Sequence, residues 1–114
     1  MEKMSLDALA REQLDAARRA GAGRSAQTVV GGHERVLRQS VIALVGGREL
    51  AEHENPGEAT VLVLHGRIRL VAGEHSWPGR RGDLLVVPAR PHSLVADEDA
   101  AVLLTVAKLG HQAR

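Results

Sequence analysis

The chain has 114 residues, 44% of them hydrophobic and 25% charged, which suits one folded domain with a modest core and excludes a disordered chain. Fifteen basic residues against fourteen acidic ones leave a net charge of +1, which offers no field for nucleic acid or an anionic membrane. Cysteine is absent, so disulfides and thiolate metal sites are excluded, and with Trp77 as the only aromatic residue the interior must be built from Val, Leu, Ile and Ala.

In chain order, the first expected element is a helix. Ser5 is a suitable N-cap, Asp7 lies in the first turn, and Arg18 and Arg19 lie in the last, each charge matching its end of the helix dipole. Leu6, Leu9, Ala10, Leu14 and Ala17 form one apolar stripe, to be covered by the domain body or a second subunit, before Gly21-Ala22-Gly23 stops the helix. This segment is too charged for a signal peptide, and no apolar run approaches bilayer length, so a cytoplasmic location is expected.

From Ser25 the pattern changes to period two. Strands are predicted at 26–30, 35–45, 49–55, 60–65, 67–72, 83–88, 92–96 and 101–109, cut by Gly, Pro-Gly and Asp-Glu-Asp turns. Residues 73–82, including His75 and Trp77, read as a loop. Closely spaced strands with tight turns call for an antiparallel sandwich or barrel. The organisation is therefore a helix and linker over 1–24, followed by a β-barrel over 25–114, in one structural domain.

Two stretches carry a resemblance. Gly47, five residues, His53-Glu54-Asn55, three residues, Ala59, six residues and Gly66 follow the spacing of the first motif of small single-domain cupins. Gly82, five residues, Pro88, a short turn and His92 follow the second, with Arg90 in place of the usual turn glycine and the turn about one residue short. The chain thus resembles the cupin 2 type, RmlC-like barrels, which implies an all-β double-stranded β-helix (jelly roll) preceded by one α-helix. In the family, two histidines and a glutamate of the first motif and the histidine of the second bind a metal. Residue by residue, His53 and His92 match the first and last of these, while Asn55 and Ala59 stand at the other two.

Strand alternation places Ala59, Val61 and Val63 on one face. Glu58 falls on the other unless a bulge after Pro56-Gly57 turns it inward. Two imidazoles make a weak site for Zn, Ni, Fe or Mn, even with Asn55 or Glu58 assisting. The incomplete set favours a pocket formed by His53, Asn55, Ala59, Val61, Val63 and His92, in which the histidines are polar anchors. His33, His65, His75 and His111 are expected outside any metal site. The Gly21-x-Gly23-x-x-Ala26 stretch follows a helix instead of opening one, so it is not a dinucleotide fingerprint.

Three functions are compatible with this reading. One is a barrel binding a small molecule, with a reduced or absent metal site and no certain cofactor. The second is a metal-dependent dioxygenase- or isomerase-type enzyme using His53 and His92. The third is a structural or regulatory dimer without ligand. Whether the protein is an enzyme is left open. The resemblance, with runs such as Val-Ile-Ala-Leu-Val that are apolar on both faces, also leads to the expectation of a homodimer.

Overall fold

A computed structural model describes residues 2–53 and 57–108, the side chains of Glu52 and His53 excepted. Among the described residues one helix, α1 (Leu6–Arg19), precedes nine strands. These are β1 (Arg24–Val30), β2 (Leu37–Leu44), β3 (Glu49–His53), β4 (Glu58–His65), β5 (Arg67–Ala72), β6 (His75–Arg80), β7 (Leu84–Val86), β8 (His92–Ala96) and β9 (Ala100–Ala107). They form a five-stranded sheet in the order β1-β2-β9-β4-β7 and a four-stranded sheet in the order β3-β8-β5-β6. Every pairing is antiparallel. Apart from the β1–β2 and β5–β6 pairs, strands consecutive in sequence lie in opposite sheets, as in an all-β jelly roll.

The core between the sheets is made by alternation. Ala59, Val61 and Val63 of β4, Ile68 and Leu70 of β5, Leu94 and Ala96 of β8, and Val102 and Val106 of β9 are buried in one cluster. Strands that turn the same residues outward would lose the whole set, so the pattern fixes the register.

The helix explains the strands that are apolar on both faces. Ser5 Oγ accepts the Ala8 N–H at 3.2 Å, capping α1 as expected. Ala10, Leu14 and Ala17 then form a second cluster with Ala43 of β2 and Ala101 of β9, against which Val45 and Leu64 also pack. The outer face of the five-stranded sheet is therefore covered at this end by the chain's own helix. Small side chains on the sheet let the helix lie close.

Two turns position the rest. Gly66 is the single residue between β4 and β5, where the chain leaves one sheet for the other, and its φ of 78° is open to glycine at little cost. Behind it stands the β8–β9 turn, in which Asp99 accepts the Gly46 N–H at 2.8 Å and Arg18 Nε–H at 2.9 Å. The Gly46 N–H, with Arg18 second, holds the Asp99 carboxyl below its usual pKa. One carboxylate thus ties the end of α1 and the β2–β3 turn to the barrel.

One element differs from the sequence expectation. The stretch taken as a loop contains β6, paired along its length with β5 from Arg67↔Arg80 to Ala72↔His75. Gly73-Glu74 is a two-residue hairpin turn with φ of 61° at the glycine and no positive φ at the glutamate, the sign pattern of type II′. β6 hides its nature because it is an edge strand: Pro78 needs no partner for an N–H it lacks, and only Gly79 is buried.

Candidate functional site

Strands of both sheets, β2, β3, β4, β5, β8 and β9, bring side chains to the barrel interior around His92. β8 alternates so that His92, Leu94 and Ala96 are buried. Around His92, the side chains of Ile42, Leu50, Val61, Leu70, Val87, Leu94, Val102 and Leu104 line a lumen with a cavity of about 20 Å3. That is room for roughly one water-sized group. Among the described residues, eight of the nine lining side chains are aliphatic and His92 is the polar one.

His92 is held in a defined state. It is 6% exposed, the one buried polar or charged side chain among the described residues. Its Nδ1 lies 2.9 Å from the Arg90 carbonyl oxygen. A carbonyl only accepts, so Nδ1–H donates, and in the neutral ring Nε2 is the basic nitrogen. The ring's orientation is thus set by the backbone two residues upstream.

The other expected site residues are placed as follows. In the pairing of β3 with β8, the backbone of His53 stands opposite His92 after a register shift beyond Leu50. Asn55 lies outside the described residues. Val61 is 3% exposed and lines the lumen, whereas Val63, 1% exposed, belongs to the core beyond it. Ala59 is buried and also borders an open hollow of about 300 Å3 on the other side, with Thr60, Val86, Val87 and Thr105. Glu58 is exposed, and β4 alternates regularly from it to Val63, so no bulge brings its carboxylate inward. His33, His65 and His75 are exposed, and His111 lies outside the described residues.

These residues do not fit a complete metal centre. Ala59 presents a methyl group where the family's carboxylate stands. No group of three His, Cys, Asp or Glu among the described residues converges to hold an ion. A transition metal held by protein generally takes three or more such donors.

A cluster that the sequence reading did not assemble lies on the four-stranded sheet. Trp77 pairs directly with Leu70, so the two share the inward face. Its ring stacks on His75, centroids 6.0 Å apart and planes 20° apart, and the Arg90 Cζ lies 5.8 Å from the ring centroid. The Gly73-Glu74 hairpin, which sets Trp77 opposite Leu70, signals the place of Trp77 and His75 but not that of Arg90.

A roomier hollow lies elsewhere. A cleft of about 380 Å3 runs between α1 and the end of β4, lined by Asp7, Arg11, Asp15, Arg18, His65 and Arg81 among others. Its size does not make it the site, because it is open and its Arg18 is already paired with Asp15 and Asp99.

Comparison with known proteins agrees with this geometry. Residues 40–107 match the family model described as a cupin domain. A conserved protein of unknown function from Streptococcus pyogenes is 30% identical, over 78% of this chain and 77% of that one, with a TM-score of 0.69. An RmlC-like cupin protein from Desulfovibrio desulfuricans is 29% identical, over 75% and 82%, with a TM-score of 0.65. A cupin 2 conserved barrel domain protein from Salinispora arenicola is 23% identical, over 92% and 87%, with a TM-score of 0.66, which speaks to the fold alone. No curated protein matches the chain.

Proposed function

The chain belongs to the cupin domain family, and from that premise we propose that it is a binding barrel which takes a small, mainly apolar organic molecule at the His92 end of its lumen. The observation that carries this reading is the wall itself: eight aliphatic side chains and one buried, oriented imidazole. Small-molecule sites have this composition, an apolar lining with few polar groups that fix orientation. The cavity of about 20 Å3 admits only a methyl-sized group, so most of the ligand sits at the lumen's end beside His92 and, by register, His53.

No step is routed through a metal in this reading, because Asn55 and Ala59 stand at two of the family's four ligand positions. Elemental analysis of protein purified without chelator and without nickel resin is expected to find well under one transition metal per chain. A thermal-shift screen of small organic molecules is expected to give hits that His92→Leu weakens. One metal per chain, lost in His92→Ala, would overturn the proposal in favour of a metal-dependent cupin.

Self-association through the uncovered part of the outer sheet face belongs to the same reading. Leu84 and Val86 are 61% and 76% exposed on the edge strand β7, beside Leu62 and Thr60 of β4, beyond the reach of α1. Exposed apolar side chains in a row support a second copy as their cover. Sedimentation at micromolar concentration is expected to show a dimer that Leu84→Lys, Val86→Lys converts to monomer.

A further inference from the structure

We propose that the rim of the barrel beside His92 recognises a carboxylate, with Arg90 holding the anionic head of a small molecule whose apolar end points into the lumen. This rests on the reading that the lumen takes a small organic molecule, and it adds the chemical class.

Arg90 stands in the β7–β8 turn, at the position where the family pattern has a glycine and therefore no side chain at all. Its backbone is fixed to the lumen wall, because its carbonyl accepts the His92 Nδ1–H at 2.9 Å. Its guanidinium is fixed to the same end of the barrel, because Cζ lies 5.8 Å from the Trp77 ring centroid. Trp77 is directly opposite Leu70, itself part of the lumen wall, and is 40% exposed. The stacked His75 supports the ring from its own strand.

Charge decides what such an arginine receives. Asp97 is paired with Arg69, and Asp99 with Arg18. Arg90 is exposed and has no ion pair among the described residues. A guanidinium that meets an aromatic ring keeps its in-plane N–H donors available, and their fork matches the two oxygens of a carboxylate. Among the described residues Arg90 is the one Lys or Arg side chain in this cluster, so a single negative charge matches it. The occupant is a monocarboxylate with a short apolar tail.

Trp77 makes the test direct. The chain has no Tyr and no Phe, so intrinsic emission reports this rim alone. Straight-chain carboxylates of about two to six carbons and the matched alcohols are titrated into the full chain, wild type and Arg90→Gln, following Trp77 emission and the melting temperature. Carboxylates are expected to change the emission and to bind about tenfold or more tighter than the alcohols, the worth of a hydrogen-bonded charge pair. Arg90→Gln is expected to abolish that preference, bringing carboxylate affinity down to that of the matched alcohols in the same variant. Equal binding of both classes, an Arg90→Gln protein that keeps the preference, or carboxylate binding that leaves Trp77 emission unmoved would each overturn the assignment of the head group while the lumen reading stands. Binding of neither class would overturn both.

Discussion

Gly66→Ala and Gly73→Ala form a matched pair in which the backbone conformation is similar and the surroundings differ. Both glycines have positive φ, 78° and 61°, so each substitution carries the left-handed penalty of about 1–2 kcal/mol. At Gly73 an added Cβ meets nothing within 4 Å. At Gly66 it would lie 2.1 Å from the Asp99 carbonyl oxygen and 2.9 Å from Ala100 Cα, both backbone atoms. The β8–β9 turn must then retreat, which strains the Asp97 N–H bond to the Arg67 carbonyl (2.9 Å) and the Asp99 bond to the Gly46 N–H (2.8 Å). At about 1 kcal/mol for each bond lost, Gly66→Ala is expected to cost about 3–4 kcal/mol against about 1–2 for Gly73→Ala. Urea unfolding followed by circular dichroism measures both. Equal midpoints for the two variants would refute the argument that the sheet-to-sheet corner is closed by backbone contact.

Three further outcomes follow from particular contacts. Asp99 has a folded pKa below its ordinary 3.8, so its contribution is full above that value and is lost as pH falls through the folded pKa. Urea midpoints measured from about pH 5 to about pH 2.5 should therefore fall less steeply in Asp99→Asn than in wild type, and parallel profiles would count against the tie to Gly46 and Arg18. Leu14→Ala removes a 4% exposed side chain from the helix–sheet cluster and is expected to cost about 2–3 kcal/mol in urea unfolding while leaving ligand affinity unchanged, because α1 lies on the outer face. Ala59→Glu restores the family's carboxylate to a buried position beside Val61 and Val87. It is expected to destabilise the protein by several kcal/mol at neutral pH, and a variant as stable as wild type in thermal melts would mean that the site supplies a partner for the charge.

Much of the barrel was legible because alternation and glycine spacing report the same geometry. Val61 and Val63 are buried where the period-two pattern placed them, and β5 and β8 occupy the predicted ranges, 67–72 and 92–96. The helix, with its Ser5 cap and its stripe through Ala10, Leu14 and Ala17, was equally readable. β6 was not, because an edge strand needs no apolar face of its own and His75–Arg80 is held by pairing with β5. That omission hid the meeting of Trp77 and Arg90, which no local pattern encodes. The double-faced apolar character of β2 had a local explanation, since Ala43 faces the helix while Ile42 and Leu44 face the core. At the site, residue type carried more than spacing did: the motif spacing is kept around Ala59, and only the side chain there shows that a ligand of the family's metal is gone.

Binding of an organic molecule in the lumen beside His92 can be observed at the lumen wall itself. Methyl-resolved NMR during a titration with butyrate tests it most directly, because Val61, Leu70, Leu94 and Val102 all carry methyl groups on the lumen wall. These methyls and the His92 ring are expected to shift together and saturably, while the methyls of Leu14 and Leu64 under α1 stay in place. Shifts confined to the α1 cleft, or a lumen unmoved at saturating ligand, would contradict it.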